Sequence, residues 1–269
     1  MKTVSFYAGL YQDCFAYNLL AGSATEELKD PTFLDIGCYD PLFRNNTFLF
    51  EELGWKGLCF DLTDCERSFG FSSIRETPFI QMDTTSTNFS ILLEDLKKEK
   101  EWLKGGQNDT LEVEFISLDV DEASLSTLDR LLEANVRFKC MCFEHDYLRI
   151  GEALRRPSRE RLHSEGYEML FPDISFPEPP MCSIMFDGNC FEDWWIDPSF
   201  FPDNIMSIKK EGLRYYDAVD RLKEFMGNEY VPNYPFSRNT FPDPGRFDPL
   251  TKKVTWNEPA FEYKAHNTK

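Results

Sequence analysis

The residues of this chain best suited to chemistry are acids that close short apolar runs: Asp35, Asp61, Asp83, Asp119 and Glu144. Asp119 leads into Val120-Asp121-Glu122 and Glu144 into His145-Asp146, so five carboxylates and an imidazole occupy two strand ends. Acids in such places line the crevice where open α/β sheets bind ligands. Two kinds of work suit them. One is removal of a proton from an acceptor, for which His145 has the side chain with an ordinary pKa nearest neutrality; His163 and His266 fall on a helix surface and in the tail. The other is holding a hard cation, since Asp119, Glu144 and His145 together suit Mg²⁺ or Mn²⁺. Against both stands a core or capping histidine, with the acids relieved by protonation or hydrogen bonds and no metal.

Strands and loops must carry these acids to one place. Phe33 to Asp61 reads as strand, tight loop, helix and strand: Phe33-Leu34-Asp35-Ile36 is broken by Gly37, and Phe48, Phe50 and Leu53 recur at helical spacing. Gly54 then stops the helix before Trp55-Lys56-Gly57-Leu58-Cys59-Phe60. From Gly37 the loop is Gly-Cys-Tyr-Asp-Pro-Leu, without the second and third glycines a dinucleotide pyrophosphate needs. An NAD-dependent oxidoreductase is therefore disfavoured. An adenosine ligand without a phosphate, as in S-adenosylmethionine, still needs a carboxylate for its ribose, and Asp61 falls at the expected distance. An ordinary buried βαβ unit with Asp61 capping the next helix fits this stretch equally well.

The rest of the chain repeats the alternation. A helix over residues 5 to 20 precedes the sheet. Thr77 to Met82 reads as a third strand, residues 88 to 103 as an amphipathic helix, Leu111 to Leu118 as a fourth strand, Ala123 to Glu133 as a helix and Phe138 to Phe143 as a fifth strand. Arg155 to His163 is a basic helix, Gly166 to Phe171 a sixth strand and Cys182 to Phe186 a seventh, antiparallel by analogy with the fold. This predicts an α/β domain with a seven-stranded, mostly parallel sheet and helices on both faces. The domain spans residues 1 to 205. Residues 206 to 269 form a proline- and aromatic-rich extension, with a helix at Arg214 to Phe225, that packs on the domain or bridges subunits of a homo-oligomer.

With 29 basic against 47 acidic residues and a net charge of −18, nucleic acid and anionic membranes are poor main partners. Eight cysteines form no C-x-x-C pair and read as reduced thiols of a cytoplasmic protein. Cys140 and Cys142 project to one strand face with no second pair nearby, which speaks against zinc there. No apolar run is long enough to span a membrane. Arg149, Arg155, Arg156, Arg159 and Arg161 are the one concentrated basic stretch, either a phosphate site or a solvated helix face. Trp194 and Trp195 either stack on a sugar ring or cover a core edge.

Asp35-Ile36-Gly37, Asn46-Thr47, Glu51 to Cys59 with its Gly54-Trp55-Lys56-Gly57 turn, and Asp61 resemble the opening of the FkbM family of S-adenosylmethionine-dependent methyltransferases. Leu118-Asp119-Val120-Asp121 is similar to that family's LDVEG, Glu144-His145-Asp146 to its EHN, and Phe191 to Phe200 to a late segment, so the resemblance covers roughly residues 5 to 202. It departs in the loop, where Cys38-Tyr39-Asp40-Pro41 replaces A-N-D-G, and at Glu122, which replaces a glycine. The resemblance implies a Rossmann-like class I methyltransferase fold and O-methylation of a sugar or similar small hydroxylated acceptor. It implies cofactor contacts from Asp35, Gly37, Cys38, Asp61, Leu62 and Asp83: ribose on Asp61, methionine near Gly37 and adenine near Asp83. His145, Asp119 and Glu144 become the catalytic candidates. The competing reading, favoured by Pro41, Glu122 and the tail, is a non-catalytic binding or assembly protein of the same fold.

Overall fold

Phe33 to Ile36 needs no polar alternation because both faces of its strand are covered: Thr32–Ile36 (β2) is buried at every position, as a central parallel strand should be. The computed structural model describes residues 1–21, 28–103, 110–176 and 190–235, and the backbone of 247–248 and 253–254. Lys2–Ser5 (β1) and Gln12–Leu20 (α1) precede β2. Phe48–Glu52 (α2), Lys56–Asp61 (β3), Cys65–Phe69 (α3), Phe71–Ile74 (α4), Phe79–Gln81 (β4), Phe89–Glu99 (α5), Leu111–Leu118 (β5), Ser124–Glu133 (α6) and Val136–Glu144 (β6) follow. Tyr147–Ile150 (α7), Glu152–Ser164 (α8), Glu168–Ser175 (β7), Cys190–Ile196 (β8), Tyr215–Met226 (α9) and Tyr230–Asn233 (β9) complete this part of the chain.

Seven strands form one sheet in the order β4-β3-β2-β5-β6-β8-β7. The first five are parallel neighbours, and β8 runs antiparallel to both β6 and β7. The expected Rossmann-like class I methyltransferase fold is the fold of this chain. Because β2 to β6 run the same way, Asp35, Asp61, Asp83, Asp119 and Glu144 all belong to one edge of the sheet. The chain winds outward from β2 through β3 to β4 and then returns to place β5 on the other side of β2. That reversal opens a crevice between the carboxyl ends of β2 and β5.

Three expectations need correction. The antiparallel strand is Cys190–Ile196, and the stretch 182–186 lies outside the described residues. The N-terminal segment is not one helix over 5 to 20: β1 comes first, and α1 starts only at Gln12, after Tyr11 in the left-handed region. The chain's compact unit ends at Pro235 rather than at 205. β9 pairs in parallel with β1, from Lys2 with Tyr230 to Ser5 with Asn233, and α9 packs on α1, so residues 206 to 235 belong to the unit. Phe236–Lys269 forms a second unit, in which Phe247–Asp248 pairs antiparallel with Lys253–Val254.

Alternation along the strands supplies an apolar layer to each face of the sheet. Phe15, Phe33, Phe50, Phe115 and Trp194 share one layer with α1 and α9, while Ile36, Phe60, Phe89, Leu131, Phe143 and Trp195 share the other with α5, α6 and α8. Trp194 and Trp195 are fully buried on opposite faces, and Trp194 stacks on Phe15 at 4.7 Å. Neither is open to a sugar ring. No helix among the described residues is long and apolar enough to cross a membrane.

Candidate functional site

At the reversal between β2 and β5 lies a cleft of about 390 Å³ whose lining includes Gln12, Asp35, Gly37, Arg44, Asp119 and Glu144. Its floor is set by strand ends and its wall by the loop after β2. Gly37 makes that junction possible: its φ is +91°, and a Cβ there would fall 1.6 Å from the Asp119 carbonyl oxygen. The missing side chain admits the backbone of β5, where the sequence reading gave the space to a ligand. Gly37 and Cys38 both donate their N–H groups to the Phe60 carbonyl, which turns the loop back over β3. Asp40 then accepts from the N–H groups of Leu42 and Phe43, and Asn45 donates to the carbonyls of Cys38 and Asp40. These bonds close the loop without the flexible glycine that Pro41 supplants.

Asp35 is buried and accepts from the Thr47 hydroxyl at 2.7 Å, with the Arg75 guanidinium 3.9 Å away. Burial raises its carboxyl to about 6, and Arg75 offsets part of the rise. Asp119 and Glu144 meet side chain to side chain across the ends of β5 and β6. Removal from bulk water raises both carboxyls, Glu144 well above the usual range, and the Asp119 charge adds to that rise. For Asp119 the hydrogen bond with Glu144 and the Arg44 charge offset part of the rise. The two carboxyls share a hydrogen bond and titrate as one coupled pair.

Nothing in the sequence singles out Gln12 or Arg44, and Asn46 stands there only as part of the Asn46-Thr47 motif. Gln12 lines the cleft and donates to buried Glu192, the partner of Glu144 across the β6–β8 ladder. Burial pushes Glu192 up to about 8. Arg44 sits against Gly9, where a Cβ would fall 2.5 Å from its Nε, and its charge faces Asp119 and Glu144. Asn46 donates to the Ser117 hydroxyl at 2.9 Å, tying the loop to β5.

The remaining expected residues lie elsewhere. His145 is completely buried and does not line the cleft. Its Nδ1 accepts from the Tyr147 N–H, which assigns the proton to Nε2, and Nε2 is 3.5 Å from Asp193 and 3.8 Å from Asp173. Arg159 bonds Asp193 through two nitrogens, Arg155 does the same to Asp173, and Arg159 also reaches Asp173. Two residues of the basic stretch are therefore spent on internal acids, and Arg156 stays on the surface with Glu160. Asp119, Glu144 and His145 form no common ligand set among the described residues, so the expected Mg²⁺ or Mn²⁺ site is not assembled. His145 adjoins Glu144 in sequence, yet successive residues of an extended chain point opposite ways.

Asp61 is nearly buried and accepts from the N–H groups of Tyr39 at 2.9 Å and Thr63 at 2.7 Å. It holds the loop from beneath and does not line the cleft. Leu62 is exposed outside it, and Asp83 is an exposed turn residue bonded to Thr85. Of the six expected cofactor residues, Asp35, Gly37 and Cys38 line the cleft.

No protein-family profile and no curated protein sequence matches the chain. Solved structures do resemble it. A putative S-adenosylmethionine-dependent methyltransferase from Listeria monocytogenes is 13% identical, with 70% of this chain and 97% of that one covered at a TM-score of 0.42. A human methyltransferase 10 domain containing protein is also 13% identical, over 70% and 80% of the two chains, at a TM-score of 0.40. The plantazolicin methyltransferase BpumL in complex with SAH is 13% identical over 70% and 82%, at 0.37.

Proposed function

We propose that this chain is an S-adenosylmethionine-dependent methyltransferase of the FkbM type, with the cleft between β2 and β5 as its cofactor site. The observation that carries the reading is the convergence of Asp35, Gly37, Asp119 and Glu144 at the topological reversal of the sheet. A lining of carboxyls suits a ligand bearing sulfonium and ammonium charges and repels a pyrophosphate. When bound, the cofactor supplies an electrophilic methyl group. The acceptor in this reading is a small hydroxylated molecule of the sugar class.

Such a hydroxyl must lose its proton, and His145 is not in reach of the cleft. In this reading Asp119 takes that role, since it lines the cleft and burial raises its carboxyl above that of an ordinary aspartate, which makes it a stronger base. Glu144 orients it through their hydrogen bond, and Arg44 offsets the local negative charge.

Calorimetry with S-adenosylmethionine and with NAD separates the reading from its rivals. Binding of the first alone is expected, and binding of NAD alone overturns the proposal. Asp119→Asn should then lower turnover on a panel of radiolabelled methyl acceptors by roughly 10²- to 10⁴-fold, as loss of one general base does. Failure of wild-type protein to bind S-adenosylmethionine leaves the non-catalytic role.

A further inference from the structure

Three of the cysteines meet at the back of the same loop. Cys38 follows β2, Cys59 lies opposite Asp35 in the β2–β3 ladder, Asp61 ends β3 and Cys65 opens α3. Cys59 and Asp61 are two residues apart on one strand and so share a face. The Cys38 thiol contacts those of Cys59 and Cys65. Cys38 Sγ, Cys65 Sγ and an Asp61 oxygen lie within 4.8 Å of one another, and all four residues are buried.

The loop's N–H groups position the Asp61 carboxylate, and from that position one of its oxygens also faces the Cys38 and Cys65 thiols, which as weak hydrogen-bond donors give it little in return. Asp61 is also fixed in place, each oxygen receiving one backbone N–H, as metal-bound carboxylates usually are. The Cys38 and Cys65 sulfurs and an Asp61 oxygen supply three donors of the kinds that tetrahedral zinc takes, with bonds of about 2.3 Å to sulfur and about 2.0 to 2.2 Å to oxygen and a water as the fourth ligand. Magnesium and manganese prefer all-oxygen sites.

We propose that Cys38, Cys65 and Asp61 bind one zinc ion that fastens the loop after β2 to β3 and α3, with Cys59 packed against Cys38 beside it. Loading exchanges two thiol protons for the dication, and with the Asp61 carboxylate leaves a singly negative centre. The buried Arg75 guanidinium, whose charge interacts with Cys59, Asp35 and Glu51, stands beside it to offset that charge. The role is structural and does not depend on which reaction the cleft serves. It also explains why Asp61 sits under the loop.

The test uses the full chain, purified without a metal-chelating tag. Elemental analysis should find about one zinc per chain. After removal of zinc and addition of Co²⁺, a thiolate-to-cobalt charge-transfer band should develop together with the visible bands of a tetrahedral ion. Cys38→Ser and Cys65→Ser should each weaken that band and lower zinc affinity by more than roughly 100-fold, since even outer-shell losses reach that range. Cys190→Ser, outside the cluster, should leave both unchanged. A folded wild-type protein that contains no zinc and gives no charge-transfer band with Co²⁺ overturns the proposal, whatever the variants do. A band insensitive to Cys38→Ser and Cys65→Ser overturns the ligand assignment.

Discussion

Glu192 lies beneath the cleft with its oxygen accepting from the Trp194 indole at 3.0 Å and from Gln12 at 3.3 Å. Burial raises its carboxyl from 4.5 to about 8, with nearby Asp119 and Asp193 adding to the rise. The native protein therefore keeps a proton that the unfolded chain releases at neutral pH. Stability must fall as pH climbs from the unfolded value toward 8, and the full penalty stands above that. A rise of this size corresponds to about 5 kcal/mol between the two limits, or about 1.4 kcal/mol per pH unit in mid-range. Glu192→Gln retains a carbonyl oxygen for both donors and abolishes the titration. Its stability relative to wild type should accordingly increase between pH 5 and pH 8, by the order of 1 kcal/mol per unit. Urea unfolding at several pH values, followed by tryptophan fluorescence, measures the difference. Asp13, raised by burial to about 7, and Asp35, raised to about 6, steepen the slope of both proteins and cancel in the comparison. A difference that stays constant with pH would refute the protonated assignment of Glu192.

Gly37→Ala must push a Cβ into the Asp119 carbonyl at positive φ, and chemical denaturation should register a loss of roughly 3 kcal/mol or more; unchanged stability would contradict the close approach. Arg159→Ala strands buried Asp193 and should cost roughly 3 to 5 kcal/mol. The exposed Arg156→Ala should stay within about 0.5 kcal/mol, and equal effects from the two would deny the internal network. His145→Gln should lower the melting temperature through a loss of roughly 1 to 3 kcal/mol while leaving S-adenosylmethionine affinity nearly unchanged by calorimetry. Loss of affinity at full stability would return the imidazole to the cleft.

The sheet was legible because its central strands are continuous apolar runs closed by acids, a pattern with few other solutions. Side-chain direction was not. Glu144 and His145 look like one motif in sequence, but one faces the cleft and the other a buried pair of aspartates. Asp61 read as a ligand group because it ends a strand, whereas the loop's own N–H groups claim its oxygens. The thiol cluster escaped because its members stand at 38, 59 and 65, brought together by strand register rather than by local spacing. β1 was missed for a similar reason: four residues carry little periodicity, and the partner that makes them a strand lies at Tyr230–Asn233.

That pairing has a consequence for a chain still being synthesised. The segment with Gly9, Leu10 and Gln12, on one side of the cleft, follows a strand that among the described residues pairs with residues some 228 positions later. Phe6 completes the anchor with a bond to the Asn233 carbonyl. All seven sheet strands leave the ribosome before that bond can form, and contacts so distant in sequence are slow to close. A nascent chain halted before Tyr230 would present a formed sheet with β1 still unpaired, and would fix the start of the segment that leads into the cleft as Tyr230–Asn233 emerges.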